Sequence, residues 1–293
     1  MQIYDGAVLF VDILGISALT TSKKPLVNRH DFDALNGKTG HVESNQLFCA
    51  NMLSQFRKNL NGCKMPDLRI AQLSDCAFLW SSEVDLVVLA AQKLFMENAE
   101  TGIFARGGMT YGQIIEPDKT DISLGRFVCG EAVTKAAKLE GTGKGSRVFI
   151  DRKIGGRQFC DVSPRAFEGL PNPSDYRVVD EFLWFSCPKC LETPSGKANR
   201  LTTLLGLIGR FRYAPSFRWN AGSAPGRVHL GATIERLSVA TRELAREMDI
   251  EEPHFALQTS EIFQDLYHGD QHSVESHNTF GNRVSNWLKQ HAR

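Results

Sequence analysis

Ala7 to Ile13 is apolar at every position except Asp12. Its length and its β-branched residues Val8, Val11 and Ile13 predict a buried strand. Residues 20–41 are polar and carry Pro25, Gly37, Gly40 and several charges, which predicts a loop. Glu43 to Asn59 has helical spacing, with Leu47, Phe48, Met52, Leu53 and Phe56 on one side. Leu68 to Leu73 and Cys76 to Trp80 read as short strands about Ser74-Asp75, and two residues between strands predict a tight hairpin. Asp85 to Asn98 repeats Leu86, Leu89, Ala90, Leu94 and Phe95 at helical spacing. Ile103 to Thr110 and Gln113 to Glu116 read as a strand pair about Tyr111-Gly112. Gly130 to Leu139 is an alanine-rich helix; Arg147 to Ile150 and Arg177 to Phe185 are strands.

Hairpins alternating with helices predict an α+β sandwich, a mainly antiparallel sheet with helices, rather than a doubly wound sheet. Past about residue 190 the pattern becomes helical throughout: Leu201 to Arg212, Val228 to Met248, Phe255 to Tyr267 and Ser273 to Gln290. Pro215, Gly222, Pro225, Pro253 and Gly269 separate these segments. The expected organisation is a catalytic domain over 1–190 and a helical C-terminal extension over 191–293.

Composition narrows the classes. The 293 residues suffice for a substantial core, and the net charge of +1, with both signs interspersed, gives no basic field for nucleic acid. No run approaches a membrane span, and the first residues lack the basic flank and apolar stretch of a signal peptide, so a cytoplasmic protein is expected. Seven irregularly spaced cysteines agree with reduced thiols. Zinc at Cys187-Pro188-Lys189-Cys190 would need a second pair, and none appears, so this segment reads as a loop with two thiols.

The chemistry concentrates in two carboxylates. Asp12 ends the most apolar strand, where an unpaired charge costs several kcal/mol. Asp75 sits at a hairpin tip that the topology places beside the end of that strand. Converging carboxylates suit Mg²⁺ or Mn²⁺ bridging a triphosphate. Taken singly, each is also compatible with a cap, an arginine partner or ordinary turn chemistry.

Four segments, in order, resemble the class III nucleotidyl cyclases: Phe10-Val11-Asp12-Ile13-Leu14-Gly15; Gln72-Leu73-Ser74-Asp75; Arg106-Gly107-Gly108-Met109-Thr110-Tyr111-Gly112; and Gly130 to Glu140, similar to G-x-x-V-N-x-A-x-R-L-E. The resemblance implies that Asp12 and Asp75, with the backbone carbonyl of Ile13, hold two Mn²⁺ or Mg²⁺ ions. It places Phe10 in the substrate site and Arg106 and Arg147 at phosphate-binding positions. Thr134 and Lys138 stand where the family keeps a ribose-orienting Asn and a transition-state Arg. Four residues apart, they share a helix face; Thr offers a single hydroxyl and Lys lacks the bidentate fork. In the family the two halves of one site come from different subunits, so the resemblance implies a homodimer with two composite sites.

The base-reading positions of the purine enzymes correspond to Ala71 and Phe127, and neither side chain makes the polar contact a purine needs. Phe127 is either a wall that narrows the pocket or a core residue. This altered reader is similar to the pyrimidine cyclases of Pycsar antiphage systems, which implies UTP (or CTP) as substrate and a cyclic nucleotide that acts on a separate effector. The competing readings are an adenylyl cyclase with an unusual base pocket, a catalytically dead nucleotide-binding module, and a polymerase-type palm.

Overall fold

The computed structural model describes residues 1–28, 31, 44–118, 125–151, 154, 167–171, 178–186, 192–213 and 224–249. The chain divides into compact units, Met1–Ser186 and Cys187–Arg293.

The first unit is built on a seven-stranded sheet. Its strands are β1 (Gln2–Ile13), β2 (Arg69–Leu73), β3 (Cys76–Ser81), β4 (Ala105–Glu116), β5 (Val148–Ile150), β6 (Phe167–Pro171) and β7 (Val178–Phe182). They lie in the order β2-β3-β1-β4-β5-β7-β6, and every pairing is antiparallel except β4 with β5. Among the described residues this unit carries the helices α1 (Ile16–Thr21), α2 (Asn45–Gly62), α3 (Val84–Glu100) and α4 (Glu131–Glu140). The expected α+β architecture with a mainly antiparallel sheet is the one observed.

Strand alternation sorts the side chains onto two faces. Ala7, Leu9 and Val11 are fully buried on one face of β1, while Phe10 and Asp12 are only partly buried on the other. Gly107 and Gly108, adjacent on β4, open both faces to helices. A Cβ at Gly107 would lie 3.1 Å from the Phe95 ring of α3. One at Gly108 would fall on the Ala136 carbonyl oxygen and 2.5 Å from the Glu140 nitrogen of α4. The small residues of α4 serve the same close approach: Ala132 and Ala136 are fully buried with Val8, Trp80 and Ile114. Because Gly108 meets backbone, Gly108→Ala should destabilise the protein by roughly 3 kcal/mol through displacement of α4. A urea denaturation midpoint unchanged by this substitution would refute that packing account.

The sequence pattern and the structure part company at Tyr111-Gly112. No hairpin occurs there. β4 is one strand paired with β1 without interruption from Gln2↔Glu116 to Ile13↔Ala105. The predicted turn arose because β1 was expected to begin at Ala7; starting at Gln2, it supplies a partner along the whole of β4, and Gly112 sits opposite Gly6 within the ladder. β6 was not anticipated. Its sequence, Phe-Glu-Gly-Leu-Pro, has turn composition, and the strand lies at the sheet edge, where Pro and Gly are tolerated. Of the predicted loop 20–41, its first two residues close α1, 22–28 carry no regular element, and most of the remainder falls outside the described residues.

In the second unit, α5 (Pro194–Tyr213) and α6 (Ala224–Glu247) pack together. A 3.2 Å ion pair joins Lys197, near the start of α5, to Glu247, at the end of α6. Both helices begin earlier than the apolar spacing predicts, at Pro194 and Ala224. The helices predicted over 255–267 and 273–290 lie outside the described residues. Among the described residues, no helix is long and apolar enough to cross a membrane.

Candidate active site

Asp12 stands near the end of β1, between Cys76 of β3 and Arg106 of β4 in the ladder. The β2–β3 turn brings Asp75 to the same place. The Ile13 amide donates a 3.0 Å hydrogen bond to the Asp75 carbonyl, fastening the hairpin tip to the strand end. The two-residue turn holds Ser74 at a φ of 56°, a left-handed conformation that non-glycine residues seldom adopt and that marks turns and functional sites. Gln72 braces it: its side-chain amide donates to the Ser74 carbonyl at 2.9 Å and its side-chain oxygen accepts from Arg57 Nε at 2.9 Å.

The carboxylates are crowded. The Asp12 pKa is pushed up from 3.8 to about 7, first by burial and then by the negative charges of Glu140 and Asp75, with Arg106 opposing. The donor set therefore fits a divalent cation: half-buried carboxylates repel one another until positive charge arrives. Among the described residues no three His, Cys, Asp or Glu side chains form a group that would hold a metal unaided. Two aspartates and a backbone carbonyl leave coordination positions for phosphate oxygens, as hard divalent cations at triphosphates require.

Both arginines expected at phosphate positions are engaged within the chain. Arg106 pairs with Glu140 through Nε and a terminal nitrogen, and donates to the Gly143 carbonyl at 2.9 Å. Arg147 makes a bidentate pair with Glu181, 2.7 Å at each bond, and lies 5.1 Å from the centre of the Phe149 ring. Glu140 and Glu181 were not singled out in the sequence. Glu140 continues the spacing Ala132, Ala136, Glu140 on the buried stripe of α4, and that periodicity is the signal that could have found it. Glu181 is 1% exposed and belongs to a strand whose mixture of apolar and acidic residues was visible without indicating its partner.

Thr134 and Lys138 lie on the exposed side of α4, away from the stripe that faces the sheet. Phe10 and Phe78 are half-buried with ring centres 4.7 Å apart, and Ala71 joins them at the edge of the core cluster that contains Ala132. Phe127 is 51% exposed, which removes the core reading of that residue. Cys187 to Cys190 lie outside the described residues.

No protein-family model matches the chain, and no curated protein matches it. Solved structures do. A bacterial light-regulated adenylyl cyclase is 16% identical, over 63% of this chain and 92% of its own, with a TM-score of 0.43. The guanylyl cyclase Cya2 is 10% identical, over 62% and 92%, with a TM-score of 0.44. The adenylyl cyclase CyaB from P. aeruginosa is 13% identical, over 62% and 96%, with a TM-score of 0.37. This chain's own residues carry the functional reading.

Proposed function

We propose that the protein is a nucleotidyl cyclase that converts UTP to 3′,5′-cyclic UMP and diphosphate, as a homodimer with two composite sites. The observation that carries this reading is the convergence of Asp12 and Asp75, tied by the Ile13–Asp75 hydrogen bond at the end of an otherwise apolar strand. Asp12, Asp75 and the Ile13 carbonyl would hold two Mn²⁺ or Mg²⁺ ions, which supply Lewis-acid polarisation of the ribose hydroxyl and neutralise phosphate charge.

The 3′-oxygen attacks the α-phosphorus and its proton passes to solvent water. The bond from that phosphorus to the α,β-bridging oxygen breaks, and diphosphate departs with the bonding pair. Lys138 stabilises negative charge developing on the α-phosphate, and Thr134 orients the ribose. Both project from the outer face of α4, so a second subunit supplies them to the first subunit's carboxylates. A triphosphate that engages Arg106 or Arg147 does so in competition with Glu140 or Glu181. Phe10 and Ala71 border the base, and Phe127 at the surface narrows the space for it. The expected role of the product is that of a second messenger in antiphage defence, acting on a separate effector.

Incubating the protein with Mn²⁺ and each of the four ribonucleoside triphosphates, with products identified by mass, tests the substrate. Cyclic UMP is expected. Cyclic CMP would keep the pyrimidine reading and change the base; cyclic AMP alone would overturn the pyrimidine reading.

A further inference from the structure

Ala71 and Phe127 occupy the places where a polar base reader is expected, and neither can act as one. The structure puts a polar pair between them. Arg69 lies two residues from Ala71 on the same face of β2, opposite Trp80. Of Arg69, Leu73, Phe78 and Phe10, which surround Ala71 on this face, Arg69 alone carries hydrogen-bond donors. Its Nε lies 3.0 Å from Glu116 Oε1, and the two side chains remain 28% and 14% exposed. The Tyr4 hydroxyl also donates to Glu116 Oε1. Burial, then the Glu116 bond and charge, push the Tyr4 pKa up to about 12, so its hydroxyl stays protonated and keeps that carboxylate aimed.

The other reader position comes to the same cluster by backbone pairing. Ile115 and Cys129 exchange amide–carbonyl hydrogen bonds of 2.8 and 3.0 Å. This bridge sets Val128 beside Glu116, with Phe127 one residue further. The half-buried Phe10–Phe78 pair next to Ala71 offers an apolar surface for a base plane.

We infer that Arg69 and Glu116 read the base, selecting a ring carbonyl beside a ring N–H, and that this selects uracil over cytosine. The inference rests on the nucleotidyl cyclase reading above. A guanidinium only donates and a carboxylate only accepts. Uracil matches the pair with its 4-oxygen toward Arg69 and its N3–H toward Glu116. Cytosine reverses both groups: its amine meets a donor and its bare N3 meets a carboxylate. Guanine shares the carbonyl–N–H edge and adenine does not, so purine exclusion falls to Phe127 and the edge choice to Arg69 and Glu116. Tyr4 is a positioning residue, acting through Glu116.

The test is kcat/KM with Mn²⁺ for UTP, CTP, GTP and ATP, measured on the wild type, Arg69→Gln, Arg69→Lys and Glu116→Gln. The wild type should prefer UTP to CTP. Arg69→Gln should lower the UTP value by about 100-fold and leave CTP and ATP little changed, because a lost base hydrogen bond acts only on the base that made it. Arg69→Lys, which keeps the charge and the fold, should fall between. Glu116→Gln should narrow the preference for UTP over CTP, since an amide presents either a donor or an acceptor at N3. A purely structural ion pair would instead lower all four values together and depress the melting temperature, and that result, or an unchanged UTP:CTP ratio, overturns the inference while the cyclase reading stands. A wild type that cyclises only purines overturns the inference and the pyrimidine reading, whereas one that cyclises none of the four overturns the cyclase reading itself, and either shows before any variant is made.

Discussion

Asp12→Asn is expected to remove cyclisation, by on the order of 10³-fold or more, and at the same time to stabilise the metal-free protein above pH 7. The two effects have one source. The Asp12 carboxyl rises from 3.8 in the unfolded reference to about 7 in the fold, chiefly through burial, then through Glu140 and Asp75. The folded state therefore holds a proton that the unfolded chain has released between about pH 4 and pH 7. Stability falls as pH rises through that window and levels off above the folded value. Asn keeps the shape and carries no charge to desolvate. After discounting for the solvent that reaches a half-buried group, the gain at pH 8 is about 2 kcal/mol, or a melting temperature higher by roughly 5 °C. Mn²⁺ should supply the same relief to the wild type and little to Asp12→Asn. Melting curves at pH 5 and pH 8, with and without Mn²⁺, check this; equal stability of the two proteins at pH 8 would remove the crowding argument for the metal site.

The second large effect concerns assembly. Asp12→Asn and Lys138→Ala should each be nearly inactive alone, the lysine variant by about 100-fold from the loss of one charge at the reacting phosphate. Mixed in equal amounts and allowed to exchange subunits, they should recover about a quarter of wild-type activity, because half the dimers are mixed and each of those has one intact site. The expectation follows from α4, which turns Glu140 inward and Lys138 outward. Activity that stays at the sum of the two separate variants would mean that each site is complete in one chain.

Much of this architecture was visible in the residues. The apolar run ending in Asp12, the two residues between β2 and β3, and the alanine stripe of α4 each report a local rule: a buried strand, a tight hairpin, a close-packed helix. Non-local pairing was hidden. The extension of β1 to Gln2 depends on β4, and the Tyr111-Gly112 turn was misread because glycine within a strand and glycine at a turn look alike until the partner is known. Of the candidate site, the aspartates stand out in the sequence and what surrounds them does not. Arg106 and Arg147 suggested phosphate contacts; Glu140 and Glu181, 34 residues further along the chain in each case, decide what those arginines touch in the fold. The Arg69–Glu116 pair, brought together across the sheet, carries no local signal.

The central claim is a cyclisation that depends on the paired aspartates. The most direct measurement follows, by mass, the products formed from UTP with Mn²⁺ by the wild type and by Asp12→Asn. Cyclic UMP and diphosphate in equal amounts from the wild type, with neither from the variant, is the predicted result; cyclic UMP formed equally well by Asp12→Asn, or no cyclic product from any of the four triphosphates, would contradict it.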